Sequence, residues 1–273
     1  MDILHAGFLT NFLSQYEGAP LGRTADPSPA IWSRLNGSVV GQFDHFVNLN
    51  KGATQSATDW LVDESDDNAT LILLDSVRGG VARLGLAADD NEEVWMSSSG
   101  GQGAPFMIDT GEPVLGFECR FRISSVVDDY IAIKIGLCEP KAVGADVHHV
   151  DDTGEISDAD FVGFRNVHVN SGTTGLNATL DAVYLTASGA VTDAVAGIQT
   201  MVANTWYKVG FLFDGTATMS YFVDGVVNAT THSVEASGFP DGEEMAMVIA
   251  AKSGDGTAVT FDVDWAMCVQ GVV

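Results

Sequence analysis

The stretch from Asn204 to Asn228 constrains the fold of this chain more than any other. It reads NTWYKVGFLFDGTATMSYFVDGVVN and contains two Asp-Gly pairs, Asp214-Gly215 and Asp224-Gly225, between apolar runs. Asp-Gly is a leading hairpin dipeptide because both central positions of the turn must reach positive φ. The stretch therefore predicts three antiparallel strands joined by two tight turns, which is a β-meander.

Short apolar runs, many of them alternating with polar residues, continue through most of the chain. The runs before and after the meander lie at 69–75, 114–123, 130–138, 160–169, 180–185, 245–250 and 258–269. They are rich in β-branched and aromatic residues and are bounded by turn signals, as strands are. The nearest approach to a helical turn is 193–203, which is equally compatible with a loop. We expect an all-β fold in which two antiparallel sheets pack face to face.

The first 55 residues differ in character from the rest. Three apolar pairs come first, and a run that contains Pro20, Pro27 and Pro29 follows them. Because proline breaks strand ladders, we expect an extended N-terminal arm over 1–55 and a sandwich over 56–273. We further expect the apolar pairs of the arm to contact a partner. Those residues are Ile3, Leu4, Phe8, Leu9, Phe12 and Leu13.

The charge of the chain restricts its partners. Lys and Arg number 12 against 37 Asp and Glu, which gives a formal net charge of −25. Such a protein is repelled by nucleic acid and by anionic membranes, so we expect neither as a partner. The N-terminus lacks the basic region of a signal peptide, so we expect the protein to be made in a host cytoplasm and to stay soluble. Three cysteines in apolar runs, Cys119, Cys138 and Cys268, are expected to be free core thiols.

The meander resembles the laminin-G/concanavalin A-like superfamily, in which a Trp-Tyr strand precedes an Asp-Gly turn and a second strand ends in Val-Asp-Gly. The stretch Phe261–Trp265 is similar to the closing strand of that superfamily. The resemblance spans roughly residues 60–270 and implies an antiparallel two-sheet jelly-roll sandwich, a fold that hosts many unrelated functions. The matching meander residues are Trp206, Tyr207, Asp214, Gly215, Tyr221, Val223, Asp224 and Gly225.

An irregular arm followed by a bare sandwich looks most like phage structural proteins such as capsid decoration, cement or head-fibre proteins. This resemblance implies a non-enzymatic protein of the virion. Its partners would be the major capsid protein or other virion proteins, together with further copies of itself in a homo-oligomer. One alternative is a carbohydrate-binding adhesin that contacts surface glycans, and another is a polysaccharide hydrolase or lyase.

Acidic residues are the first candidates for catalysis or metal binding. Glycoside hydrolases of this fold are similar in carrying Glu-x-Asp-x-x-Glu on one strand, because retaining chemistry needs two carboxyl groups about 5–5.5 Å apart. The acidic strings at 63–67 and 155–160 lack that spacing and are expected to be solvated loops, so we expect no catalytic residue. We also expect no cofactor, with an adventitious Ca²⁺ ion on a rim loop as the alternative. Its oxygen ligands would come from Asp63, Asp66, Asp67 and Asn68 or from Asp89, Asp90, Glu92 and Glu93.

Histidine and tryptophan supply the remaining candidates. His148 and His149 lie among aspartates in DVHHVDD, a plausible Zn²⁺ or Cu²⁺ set. Adjacent residues of an extended strand point to opposite faces, so we expect an exposed loop there instead of a metal site. Two tryptophans in apolar strands, Trp206 and Trp265, are expected in the core. Trp60 and Trp95 neighbour acidic residues and are candidates for a contact surface, with burial as the alternative.

Overall fold

The computed structural model describes residues 39–44, 60–64, 68–74, 80–98, 104–142, 144, 146–151, 153–167 and 177–271. Within these ranges the chain forms sixteen strands and no helix, so none of the described residues forms a helix that could cross a membrane. The strands are β1 (Val39–Asp44), β2 (Trp60–Asp63), β3 (Thr70–Leu73), β4 (Ala82–Leu86), β5 (Glu93–Ser98), β6 (Phe106–Met107), β7 (Leu115–Ile123), β8 (Ile131–Cys138), β9 (Phe161–Asn166), β10 (Thr179–Leu185), β11 (Thr192–Thr200), β12 (Tyr207–Phe213), β13 (Thr218–Val223), β14 (Val226–Ser233), β15 (Glu244–Ser253) and β16 (Val259–Gly271).

The strands form two antiparallel sheets. Sheet A has the order β14-β13-β12-β7-β16-β4-β3, and β1 lies beside β16. The length of β16 explains this arrangement, because β4 pairs with residues 259–263 of β16 and β1 pairs with residues 266–271. Sheet B has the order β11-β10-β9-β8-β15-β5-β2, and β6 pairs with one end of β15.

One hydrophobic core fills the space between the two sheets. Alternate residues of each strand point into it, for example Phe117 and Phe121 of β7 and Ile133 and Ile135 of β8. The rings of Phe117 and Phe211 stack with centroids 5.1 Å apart. The residues that alternate with these inward-pointing side chains point to the outward face of each sheet, as the two-residue period of a strand requires. The expected all-β, two-sheet jelly-roll sandwich is confirmed.

The meander predicted from the Asp-Gly pairs is present as β12, β13 and β14. Asp224 and Gly225 both have positive φ, at 50° and 79°, as the predicted two-residue turn requires. In the first pair only Gly215 has positive φ, at 81°, and the chain turns over residues 214–217 instead of over two residues. Asp214 Oδ1 accepts hydrogen bonds from the backbone N–H groups of Thr216, Ala217 and Thr218, at 2.8, 3.0 and 3.0 Å. Although partial burial opposes it, these bonds hold the pKa of Asp214 below its usual value. Turn chemistry visible in the sequence therefore shapes this end of sheet A.

Two expectations about secondary structure need correction. The segment 193–203 is neither helical turn nor loop over most of its length, because β11 extends to Thr200 and pairs with β10. It lies at the edge of sheet B, where few of its side chains are buried. The arm expected over 1–55 also contains β1, which belongs to sheet A. The six apolar arm residues expected to contact a partner lie outside the described residues.

Candidate functional site

The outward face of sheet B carries a group of buried ionisable side chains. They lie on β5, β8 and β15 and on the connection between β8 and β9, residues 139–160, which packs over these strands. Each is at most 2% exposed. Full burial of so many ionisable groups requires that they pair with one another. The members of this buried charged cluster are Glu93, Lys134, His148, His149 and Lys252.

Glu93 joins β5 to the covering connection. Its Oε1 lies 2.7 Å from Nδ1 of His149, and its Oε2 accepts from the backbone N–H groups of Val147 and His148 at 2.8 and 3.3 Å. Burial disfavours the charged form of Glu93, yet the hydrogen bond from His149 keeps the pKa of Glu93 below its usual value. Burial lowers the pKa of His149 despite the adjacent carboxylate. The pair is therefore an ionised Glu93 that accepts a hydrogen bond from a neutral imidazole.

Lys134 and His148 form a second pair beside the first. The Nζ of Lys134 lies 3.2 Å from His148 Nδ1, 3.4 Å from Cys138 Sγ and 4.8 Å from the ring centroid of Phe161. Burial lowers the pKa of Lys134 and lowers that of His148 well below its usual value. The imidazole of His148 also meets the ring of Trp95 edge-on at 4.8 Å. Both groups sit in an environment that favours their neutral forms.

Lys252 completes the attachment of the connection to the sheet. Its ammonium group contacts Asp146, and it lies 2.6 Å from Asp151. Burial opposes the charge, but the hydrogen bonds to these two carboxylates raise the pKa of Lys252 above its usual value. On β2, which pairs with β5, Asp63 accepts a hydrogen bond from the backbone N–H of Gly144. The described part of the 139–160 connection is thus bonded to β2, β5, β8 and β15.

These contacts overturn the expectation that His148 and His149 lie in an exposed loop, since each is 1% exposed. The chain bends at these residues, and both rings enter the same cluster. No group of three His, Cys, Asp or Glu side chains in the described ranges has the geometry to hold a metal ion. Trp60 and Trp95 are both buried, so the alternative of burial holds for both: Trp60 lies in the core between the sheets, and Trp95 lies on the outward face of sheet B beside His148.

The acidic strings are less solvated than expected. Asp63, Glu92 and Glu93 are buried, and Asp160 accepts a hydrogen bond from the backbone N–H of Ala187 at 2.9 Å. The two groups of residues considered for Ca²⁺ do meet, since Asn68 Nδ2 donates to Asp89 Oδ2 at 2.8 Å. Asp66 and Asp67 lie outside the described residues, and Asp90 is exposed. The three cysteines are free and buried, as expected.

The outward face of sheet A carries a different set of charges. Arg83 on β4 and Arg122 on β7 share one carboxylate, that of Asp262 on β16. Arg83 Nε and Nη2 lie 2.7 and 2.9 Å from its two oxygens, and Arg122 Nε and Nη2 lie 2.9 and 2.8 Å from Oδ2. Arg120 forms an ion pair with Asp264. These ion pairs run across three neighbouring strands of the sheet.

Trp206 lies against two of these arginines. Its ring centroid is 4.6 Å from Cζ of Arg120 and 4.7 Å from Cζ of Arg122, which is within the range of cation–π contacts. The expectation that Trp206 belongs to the core is therefore wrong, because the residue precedes β12 and its half-buried ring contacts outward-pointing side chains. We call Arg83, Arg120, Arg122 and Trp206 the arginine face. Trp265 is fully buried, as expected.

Strand β14 forms an exposed edge of sheet A. Its sequence, VVNATTHS, contains no Lys, Arg, Asp, Glu or Pro. Val226 and Val227 are 73% and 54% exposed. On the inner side, His232 stacks between Tyr184 of sheet B and Tyr221 of sheet A, with centroid distances of 4.7 and 5.5 Å. The strand is thus anchored on one side and open on the other.

The sandwich is similar to several solved structures. A protein of unknown function from Shewanella oneidensis MR-1 matches with a TM-score of 0.52 and 15% identity, over 91% of this chain and 96% of that one. Peanut lectin matches with a TM-score of 0.54 and 12% identity, over 87% and 100%. Basic winged bean lectin matches with a TM-score of 0.54 and 10% identity, over 85% and 99%. The chain has a concanavalin A-like lectin fold. No protein-family model and no curated protein sequence matches it.

Identities this low show the fold alone, so the concanavalin A-like sandwich has to be interpreted from its own residues. Sequence reasoning did not single out the arginine face. A signal was present, because Glu118, Arg120 and Arg122 alternate with apolar residues on β7, and Asp262 and Asp264 alternate on β16. What the sequence lacked was the register that places Arg122 beside Asp262.

Proposed function

We propose that this chain is a non-enzymatic structural protein that works by association with copies of itself and with other proteins. The observation that carries the proposal is the exposed edge at β14. An edge strand presents a row of backbone N–H and C=O groups that another strand can pair with. Proteins that avoid such pairing place lysine, proline or a covering segment at the edge. The sequence of β14 contains neither of those residues.

Charge favours β14 as the place where two copies meet. Two chains of formal charge −25 repel each other over most of their surfaces. The stretch Val226–Val234 contains no Asp, Glu, Lys or Arg, so close approach there costs less electrostatic free energy than approach at the acidic parts of the surface. A twofold interface would bring β14 of one copy against β14 of the other, with Val226 and Val227 covered in the process. We therefore propose that a second copy of the chain pairs with this edge.

The buried charged cluster supports a role without catalysis. Its side chains resemble those of an active site, but each is at most 2% exposed, whether it lies on sheet B beneath the 139–160 connection or belongs to that connection. Glu93, Lys134 and Lys252 are all engaged in contacts that fasten this connection to sheet B. A substrate has to reach the group that acts on it. In this arrangement the ionisable side chains stabilise the fold.

The setting that we propose is a phage virion, where the chain would be a capsid decoration, cement or head-fibre protein. This part rests on the sequence, because a proline-containing arm expected over 1–55 and followed by a bare sandwich resembles such proteins. The partners would be the major capsid protein or other virion proteins, contacted through the apolar arm residues and the loops. The acidic surface suits a partner with basic or cation-bridged patches.

Sedimentation velocity on the full chain tests the association at β14. We expect the native chain to dimerise or form larger species as its concentration rises. The variant Val226→Glu/Val227→Glu places like charges at the edge and is expected to shift the protein to monomer. The control is Val202→Glu, since Val202 is 58% exposed outside β14. A native chain that stays monomeric at all concentrations, or a control that dissociates equally, contradicts the proposal.

A further inference from the structure

Strand β3 lies at the edge of sheet A opposite to β14. Among the described strands, β4 alone pairs with it, so the other side of β3 faces no described strand. The sequence of β3, TLIL, contains no Lys, Arg, Asp, Glu or Pro, and Ile72 is 46% exposed. A strand of this composition at the edge of a sheet is open to pairing with another strand unless some other group blocks it. We call the side of β3 that points away from β4 the β3 edge.

The side chain of Glu64 occupies the β3 edge. In an antiparallel ladder the backbone N–H groups of a strand point alternately to its two sides. The N–H of Leu74 donates to Val81 O at 2.9 Å, towards β4, so the N–H groups of Leu71 and Leu73 point to the β3 edge. The N–H of Leu71 donates to Oε1 of Glu64.

This hydrogen bond joins the two sheets. Glu64 directly follows β2 of sheet B, whereas Leu71 lies in sheet A. The carboxylate therefore reaches from the end of one sheet to the edge of the other, and the side chain of Glu64 is half-buried there. A hydrogen bond to an ionised acceptor is stronger than one between neutral groups, so a neutral peptide carbonyl does not readily replace the carboxylate.

We infer that Glu64 prevents the β3 edge from pairing with a second copy of the chain. A strand that pairs there has to bring a carbonyl oxygen to the N–H of Leu71, and Glu64 already fills that position. The carboxylate also repels an incoming carbonyl oxygen, because both groups are acceptors with negative charge on oxygen. Without the carboxylate, β3 presents an unblocked apolar edge whose exposed Ile72 a second copy covers on pairing.

Closure of the β3 edge limits the size of the assembly that sheet A can form. While β3 is closed, twofold pairing at β14 ends at a dimer, because each copy then offers one open edge of sheet A. With both edges open, β14–β14 and β3–β3 contacts alternate and produce an open-ended row of copies. This consequence rests on the pairing proposed at β14, whereas the closure of β3 stands without it.

Sedimentation velocity tests the closure in the Val226→Glu/Val227→Glu background, where the result does not depend on pairing at β14. High salt screens the acidic surfaces. In this background Glu64→Ala is expected to dimerise through β3. The matched control is Glu243→Ala, which removes one exposed carboxylate outside sheet A and is expected to stay monomeric. A folded Glu64→Ala variant that stays monomeric, or a control that dimerises equally, overturns the inference.

A second substitution separates pairing at the edge from aggregation of unfolded chains. Ile72→Lys, added to Glu64→Ala in the same background, places a lysine on the unblocked edge and is expected to restore the monomer. Circular dichroism confirms that each variant keeps its β-structure. Association that persists in the presence of Ile72→Lys contradicts pairing at β3.

Amide hydrogen exchange on the native chain tests the contact without any substitution. The N–H groups of Leu71 and Leu73 point to the same edge, and among the described residues Glu64 accepts from Leu71. The amide of Leu71 is therefore expected to exchange at least about tenfold more slowly than that of Leu73. Equal exchange rates for the two amides would show that the carboxylate does not hold the edge.

Discussion

The Oε1 atom of Glu93 and the Nδ1 atom of His149 lie 2.7 Å apart, and both side chains are fully shielded from solvent. The two residues are far apart in the chain, on β5 and on the connection between β8 and β9. Their contact ties that connection to sheet B, together with the bonds from the backbone N–H groups of Val147 and His148 to Glu93 Oε2. A carboxylate that accepts three hydrogen bonds in a buried setting is a strong local constraint on the fold.

Glu93→Ala is expected to lower the free energy of unfolding by about 3–5 kcal/mol, because the buried donors of His149 and the backbone lose their acceptor. Urea denaturation followed by circular dichroism measures this change. The control is Glu155→Ala, whose side chain is 41% exposed in its pair with Arg165 and should contribute less than about 1 kcal/mol. Equal losses in the two variants would show that burial of Glu93 adds nothing.

Stability is expected to fall as the pH drops below about 6.5. Burial lowers the pKa values of His148 and His149, and it lowers that of His232 to about 4. In the unfolded chain these residues take up protons near the usual value of 6.5. Below that pH the unfolded state binds more protons than the folded state, so the free energy of unfolding decreases. Because the pKa of Glu93 is held below its usual value of 4.5, the free energy of unfolding decreases further as the pH falls below 4.5.

Denaturation midpoints between pH 8 and pH 5 measure this effect. We expect a progressive loss below about 6.5, of up to about 1.4 kcal/mol per pH unit for each fully buried histidine. The depressed pKa of Lys134 adds a dependence of the same sign at higher pH. The variant His148→Gln should reduce the slope of the free energy of unfolding against pH, while the contributions of His149 and His232 remain. A stability that is flat or rises as the pH falls from 6.5 to 5 is incompatible with neutral buried histidines.

Gly225→Val is expected to lower the free energy of unfolding by about 1–3 kcal/mol, because Gly225 has a φ of 79° in the turn between β13 and β14. A β-branched side chain is strained in that conformation. Ala229→Val is the matched control, since Ala229 is an exposed residue of β14 in extended conformation. Thermal melting distinguishes the two, and an unchanged melting temperature in Gly225→Val would contradict the turn assignment.

Deletion of residues 1–30 is expected to leave the sandwich folded and to abolish binding to a capsid lattice. The apolar pairs Ile3-Leu4, Phe8-Leu9 and Phe12-Leu13 are proposed to bind a partner, and β1 begins only at Val39. Circular dichroism reports whether the truncated chain keeps its β-structure, and cosedimentation with capsid shells reports binding. Unfolding of the truncated chain would assign the segment to the core, and unchanged binding would move the partner contact to the loops.

Local chemistry explains what the sequence predicted well. The Asp-Gly turns and the alternation around Phe117 and Phe211 depend on neighbouring residues, so the meander and the core strands were predictable. Strand β11 was not, because an edge strand buries few side chains and its alternation is weak. The burial of His148 and His149 depends on Glu93, which lies more than fifty residues earlier. The position of Trp206 likewise depends on arginines of a non-consecutive strand.

The most direct test of a structural role in a virion is to quantify the chain in purified phage particles. Particles of the phage that would carry the gene under this proposal are isolated on a density gradient, and the copy number of the chain per particle is measured by mass spectrometry. We predict that the chain is present in many copies at a fixed ratio to the major capsid protein, and that it cosediments with the particles. Absence from the particles, with the chain recovered only as free protein, would contradict the proposed function.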